Sequence, residues 1–185
     1  MSNVTLKLRG LEKSFGQNHV LKGIDLELRS GEVTALMGAN GAGKSTLVKV
    51  LCGYHFADAG AIELAGAAFA PTDAADAIAK GVVTVHQSID DGVIPDLDVA
   101  TNLTLDRLTE PGVGFFVNDG KLRRQARNVA ESMGLTMDVR MRVADLDVAD
   151  RQMIAIARAM ARSPKLLILD EPTSSLSSSD AERLF

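Results

Sequence analysis

Apolar and polar residues alternate with a period of two in Val4-Thr5-Leu6-Lys7-Leu8 and in Gly23-Ile24-Asp25-Leu26-Glu27-Leu28. That period separates the side chains onto two faces, so both stretches predict half-buried antiparallel strands. Ala61-Ile62-Glu63-Leu64 predicts another short alternating strand. Three runs are apolar without alternation: Glu32 to Met37, Val82-Val83-Thr84-Val85 and Lys165 to Leu169. Such runs predict strands buried on both faces, as in a parallel sheet. Between them lie helical signals. Ser45 to Leu51 opens a helix, and Asp73 caps another through Ala74 to Lys80 that Gly81 stops. Met153, Ile156, Ala157 and Met160 share one helical face. Strands alternating with helices predict an α/β core with a mostly parallel sheet, preceded by an antiparallel β part.

From Ser88 to Asp150 the texture changes. Pro95, Pro111 and several glycines interrupt short helical pieces, and no buried-strand run appears. One longer helix follows Asn118 or Asp119 through Leu122, Ala126, Val129 and Met133, ending at Gly134. Its basic residues Lys121, Arg123, Arg124 and Arg127 read as a solvated face. The single domain thus divides into a core, 1–87 and 151–185, and a helical insert, 88–150.

Composition narrows the function classes. With 20 basic and 24 acidic residues the net charge is −4, which gives no basic footprint for nucleic acid. There is no Trp, so the core is aliphatic. The single cysteine, Cys52, follows an apolar helical run and reads as a buried structural thiol. No run reaches the length of a membrane span, so the chain reads as cytoplasmic, with membrane association only through a partner.

The segment between the Glu32–Met37 run and the next helix carries the chemistry. Gly38-Ala39-Asn40-Gly41-Ala42-Gly43-Lys44-Ser45-Thr46 matches the phosphate-loop pattern G-x-x-x-x-G-K-[ST]. Glycines let consecutive backbone N–H groups turn inward toward a phosphate, where a Cβ would obstruct. Lys44 supplies a point charge near the β- and γ-phosphates, and the Ser45 hydroxyl can ligate Mg²⁺. The positive end of the following helix faces the same phosphates. Leu166-Leu167-Ile168-Leu169-Asp170-Glu171 is an apolar strand ending in two acids, the Walker B arrangement. Asp170 would hold Mg²⁺ through water, and Glu171 would polarise the attacking water. The cofactors implied are ATP and Mg²⁺.

Taken in order, these motifs resemble the ATP-binding cassette family along nearly the whole chain. Within it, they are most similar to the first nucleotide-binding domain of bacterial monosaccharide importers of the ribose type. The stretches carrying that similarity include Gly31 to Gly38, Val85-His86-Gln87 and Gln152 to Ala159. The resemblance implies that Gln87 reaches Mg²⁺ and the attacking water and senses a transmembrane partner. It implies that Phe15, in Lys13-Ser14-Phe15-Gly16, stacks on adenine, and that Asp170 to Leu176 runs from Walker B into the D-loop. Leu146-Asp147-Val148-Ala149-Asp150-Arg151-Gln152 occupies the place of the signature, which contacts ATP bound to a second cassette. The implied partners are that second nucleotide-binding domain, transmembrane permease subunits and, indirectly, an extracytoplasmic sugar-binding protein. The implied location is the cytoplasmic face of the inner membrane.

Two features depart from the family pattern. Asp147 stands where the signature has serine, and Val148 and Ala149 where it has glycines. A carboxylate near a γ-phosphate is repulsive, so an asymmetric dimer with one weak site is expected. The family's switch histidine lies on a strand further along than Phe185, and His19, His55 and His86 are in the wrong context to replace it. The expectation is therefore a piece of a longer chain with a second cassette, poorly active by itself. Two other classes stand beside the sugar-import ATPase: a non-hydrolysing ATP-dependent interaction module, and a soluble cassette protein outside transport. The transported sugar is not encoded here.

Overall fold

The structure, a computed structural model, describes residues 4–85, 92–108 and 119–170. The chain divides into two compact units, 1–83 with 164–168, and 84–163 with 169–185.

The first unit is built on a long hairpin. Strands β1 (Val4–Phe15) and β2 (Asn18–Arg29) pair antiparallel, joined by the two residues Gly16 and Gln17. Gly16 takes φ +60°, the left-handed value that such a short hairpin turn puts at its first central position. β3 (Ala59–Leu64) pairs with the other edge of β1, and the two-residue β4 (Ala67–Ala68) pairs with β3, giving the order β2-β1-β3-β4. Leu6, Leu8, Leu11, Leu21 and Leu64 face inward and are buried. Against them pack Leu47, Val50 and Leu51 from α1 (Lys44–Leu51), together with Phe69, Ala77 and Val82. Cys52 is buried at the end of α1, as its sequence context predicts.

Helix α2 (Ala74–Lys80) forms where its signals place it. The Asp73 carboxylate accepts the Asp76 N–H at 2.8 Å, and Gly81 ends the helix at φ +104°. The chain then enters β5 (Val82–Val85), which pairs with β6 (Leu166–Leu169). Lys165 and Leu166 donate to the Gly81 carbonyl and Asp170 donates to that of Val85, so positions rise together along both strands and the pair is parallel.

One expected strand is absent. Glu32 to Met37 has no strand partner among the described residues and is exposed throughout, Val33 to 90% and Met37 to 86%. Its apolar pattern suits a sheet interior, but a strand exists only where neighbours accept its backbone hydrogen bonds. β5 and β6 pair with each other and not with this segment.

The second unit is helical. It contains α3 (Val99–Leu108), α4 (Asp119–Ser132), a 3₁₀ turn (Val143–Asp145) and α5 (Val148–Ala161). Asn102 is fully buried in α3: its side-chain oxygen accepts the Ile94 N–H at 2.7 Å, and its amide donates to the Ile94 and Asp98 carbonyls. Leu122, Ala126 and Ala130 form the inward stripe of α4, while Lys121, Arg124 and Arg127 are exposed. In α5 the buried set is wider than the predicted stripe. Ala149, Gln152, Ala159 and all of Ile154 to Ala157 are buried, whereas Met160 is 43% exposed. A helix packed on more than one side loses the simple three-four spacing on which the expectation rested.

A three-residue ion cluster ties α3 to α5. Asp106 accepts from Arg158 (2.9 and 3.2 Å) and from Arg162 (2.5 and 2.8 Å), and Arg158 also donates to the Gly92 carbonyl at 3.2 Å. Burial pushes the Asp106 carboxyl up, but the hydrogen bonds and charges of Arg162 and Arg158 outweigh it and hold the group at about 2, below its ordinary 3.8. A depressed carboxyl contributes stability above its unfolded pKa and loses it as pH falls through the folded one. The stability gap between the chain and Asp106→Asn should therefore be full above about pH 4 and shrink toward pH 2. Urea unfolding of both across that range checks it; a constant gap would contradict the ion-cluster account.

Candidate phosphate site and its surroundings

Local rules explain the loop from Gly38 to Thr46. Gly41 takes φ +83° and Gly43 φ +90°, values that residues with a Cβ rarely adopt. The Ala42 N–H donates to the Ala39 carbonyl at 3.2 Å, closing the turn. Gly43 is the N-cap of α1, and its carbonyl accepts the Leu47 N–H at 2.9 Å. The first-turn N–H groups of α1 lack helical carbonyl partners and face the loop, where an anion is favoured. No acidic side chain lies in that first turn.

The cation is positioned as well. Lys44 Nζ donates to the Gly38 carbonyl at 2.7 Å and to the Ala39 carbonyl at 3.0 Å. One ammonium thereby spans both ends of the loop. Ser45 is exposed at the start of α1 and Thr46 half-buried beside it. Asn40 and Ala42 are exposed on the rim.

The loop is seated on the hairpin. A Cβ at Gly43 would stand 3.0 Å from Leu21 Cδ2 and 3.2 Å from the Val20 carbonyl oxygen, so loop and β2 are in close contact. Leu21 pairs with Lys13 and Asn18 with Phe15. Along the hairpin backbone Phe15 therefore lies two or three strand positions from the pair that touches the loop, roughly 7–10 Å at about 3.4 Å per residue. That is the scale separating a nucleotide's base from its phosphates. Phe15 is 45% exposed.

Asp170 and Asp147 belong to the second unit. Asp170 ends β6 with its N–H bonded to the Val85 carbonyl at 3.0 Å. Asp147 is the N-cap of α5: its carboxylate accepts the Asp150 N–H at 2.7 Å, with Val148 and Ala149 as the first helical residues. This cap was legible in the sequence, since Asp is a favoured N-cap whose carboxylate accepts the N–H three residues on, but it was not among the predicted roles. Gln87 and Glu171 lie outside the described residues. Among the described residues no three His, Cys, Asp or Glu side chains gather to hold a metal.

Residues 21–174 match the family model described as ABC transporter. Over 180 residues the chain is 38% identical to the ribose import ATP-binding protein RbsA of Bacillus licheniformis, covering 97% of this chain and 36% of that protein. Over 184 residues it is 39% identical to the ribose import ATP-binding protein RbsA 2 of Escherichia coli O157:H7, covering 100% and 36%. The chain thus spans about a third of the length of these curated relatives. Among solved structures, cbiO1 from Clostridium perfringens, part of the ABC transporter complex cbiONQ, matches with a TM-score of 0.83 at 24% identity, covering 98% of this chain and 71% of that one. The ADP conformation of MJ1267, an ATP-binding cassette of an ABC transporter, gives 0.82 at 22%, covering 98% and 74%. At such identities the structural likeness speaks for the fold alone.

Proposed function

Because this chain belongs to the ABC transporter family, we propose that it is an ATP-binding and ATP-hydrolysing domain that powers import of a sugar, a monosaccharide, through a membrane permease. Its fold is the α/β cassette fold, with an antiparallel β part, parallel strands and a helical part. We assign 1–87 and 151–185 to the ATP-binding core and 88–150 to the helical subdomain. The observation that carries the reading is the phosphate loop held on the Phe15 hairpin, with Lys44 bonded across its mouth. The names of the relatives, ribose import ATP-binding proteins, supply the sugar.

Each residue then has a task. Gly38, Gly41 and Gly43 let the loop wrap the phosphates, with Asn40 and Ala42 between them, while Lys44, Ser45 and Thr46 meet the phosphates from α1. Phe15 stacks on adenine. Mg²⁺, when bound, neutralises charge on the phosphate oxygens; Ser45, Asp170 and Gln87 would hold it. Glu171 takes a proton from the attacking water. Phosphoryl transfer of this kind is chiefly positioning and charge stabilisation. The partners are a second nucleotide-binding domain, permease subunits and, through them, an extracytoplasmic sugar-binding protein. The domain works at the cytoplasmic face of the inner membrane; among the described residues no helix is long and apolar enough to cross it. Phosphate release by the intact protein, reconstituted with its permease, should rise when a sugar-loaded binding protein is added. A rate indifferent to every sugar-loaded binding protein would remove import from the reading.

Asp147, Val148 and Ala149 would meet ATP held by the partner cassette. The N-cap geometry supplies a clean test of the charge. Serine caps helices about as well as aspartate, so Asp147→Ser should leave stability within about 0.5 kcal/mol. It removes a negative charge from the site facing the partner's γ-phosphate. Turnover of the assembled dimer should rise; unchanged turnover would end the proposal of a weak site.

A further inference from the structure

Phe15 is exposed, yet it is not free to turn. Lys13 Nζ lies 5.5 Å from its ring centroid. The His55 ring stands 5.1 Å away, centroid to centroid, at 71° to it. Both contacts trace to one short connection, the segment leading from the phosphate helix α1 to β3. At its start the Tyr54 and His55 N–H groups both donate to the Lys49 carbonyl, at 2.9 and 3.2 Å. At its end lies Asp58. One carboxylate oxygen of Asp58 accepts from Lys13 Nζ at 2.7 Å, and the other accepts the Ser14 N–H at 2.6 Å, one residue before Phe15. The Asp58 N–H in turn donates to the Glu12 carbonyl at 2.9 Å.

Asp58 therefore grips β1 at Glu12, Lys13 and Ser14 and aims the ammonium that lies over the Phe15 ring. The hydrogen bond from Lys13, then that from Ser14, holds its carboxyl below the ordinary carboxylate value, so the grip is ionic at neutral pH. An aromatic ring already fixed before a ligand arrives loses less freedom on stacking than a mobile one. A cation on an exposed ring contributes a modest further attraction.

We propose that Asp58 is a positioning residue of the base subsite, holding Lys13 and the Ser14 backbone so that Phe15 presents a preordered stacking surface to the base of a nucleoside triphosphate. The inference rests on the nucleotide-binding reading above. Asp58 touches neither base nor phosphate; it acts through Phe15.

Two probes separate this role from a merely structural one: Mg·ATP, which has a base, and magnesium tripolyphosphate, which has none. Titration calorimetry on the full chain gives both dissociation constants, and their ratio is the readout. In Asp58→Ala the ratio of the ATP constant to the tripolyphosphate constant should rise about fivefold, the size of a cation–π contact with some ordering. In Asp58→Asn, which keeps an acceptor for the Ser14 N–H, it should rise by less. An unchanged ratio in Asp58→Ala, even with both affinities lowered together, would overturn the proposal. If Asp58→Ala does not fold, Asp58→Asn decides by the same ratio. A folded unsubstituted chain that binds tripolyphosphate as tightly as ATP would overturn the base subsite itself, and one that binds neither would overturn the nucleotide reading with it.

Discussion

Lys44→Ala is expected to weaken Mg·ATP binding by roughly a hundredfold or more. Two losses add in this variant. The first is the point charge that the proposed role puts at the β- and γ-phosphates. The second is the ammonium bridge between the Gly38 and Ala39 carbonyls, at 2.7 and 3.0 Å, which holds the loop's opening residues against the start of α1. Without it, two carbonyl dipoles face the triphosphate with no cation between them. Unfolding is not the expected cause, since Ala is the better helix former and Lys44 is the first residue of α1. Lys44→Arg should rescue little, because a planar guanidinium cannot take the place of a compact ammonium between two carbonyls and a phosphate. Calorimetric titration with Mg·ATP, alongside circular dichroism of each variant, measures both points. Binding within threefold of the unsubstituted chain would detach Lys44 from the phosphates.

Much of this site is legible in the sequence because it is local. The glycines, the lysine and the hydroxyls of residues 38–46 lie in one loop and the start of the helix it leads into, so spacing alone encodes the turn that the structure shows there. The same holds for α2, where an Asp cap and a terminal Gly act within one helix. What the sequence does not display is pairing across distance. Glu32 to Met37 has the composition of an interior strand, but the neighbours that would make it one cannot be read from its own residues. β1 runs on to Phe15 through the polar Glu12, Lys13 and Ser14, against the alternation that ends near Leu8, because β2 pairs with it as far as Phe15 while β3 reaches Glu12 and the Asp58 carboxylate takes the Ser14 N–H.

Phe15 shows the limit most clearly. Its neighbourhood depends on Asp58, separated from Ser14 by 44 positions, and no motif links the two. Asp106, Arg158 and Arg162 likewise look like ordinary helical charges until α3 and α5 bring them within hydrogen-bonding distance. Asp147 is the opposite case. Its cap is a local feature, and family resemblance drew attention to its charge instead. The carboxylate has a structural task at the start of α5, which explains how aspartate is accommodated there without disturbing the helix. It does not cancel the charge, and that is why the serine substitution is informative.

Glu171→Gln is expected to separate binding from turnover. The residue follows Asp170, whose N–H is bonded to the Val85 carbonyl at the end of the parallel strand pair. Glutamine keeps the size of glutamate and its capacity to accept a hydrogen bond from water, but it cannot take up the proton as a carboxylate does. Mg·ATP affinity should therefore stay within about twofold, because the role proposed for Glu171 is toward the attacking water and not the phosphates. The rate of phosphate release in the assembled transporter should fall by roughly 10²–10⁴-fold, the range general-base catalysis contributes. The split matters because Lys44→Ala should reduce both quantities, whereas Glu171→Gln should reduce one. Single-turnover measurements at saturating ATP isolate the chemical step from product release. Hydrolysis at the unsubstituted rate would take the base role away from Glu171, and a parallel loss of affinity would place it among the ligands of the nucleotide.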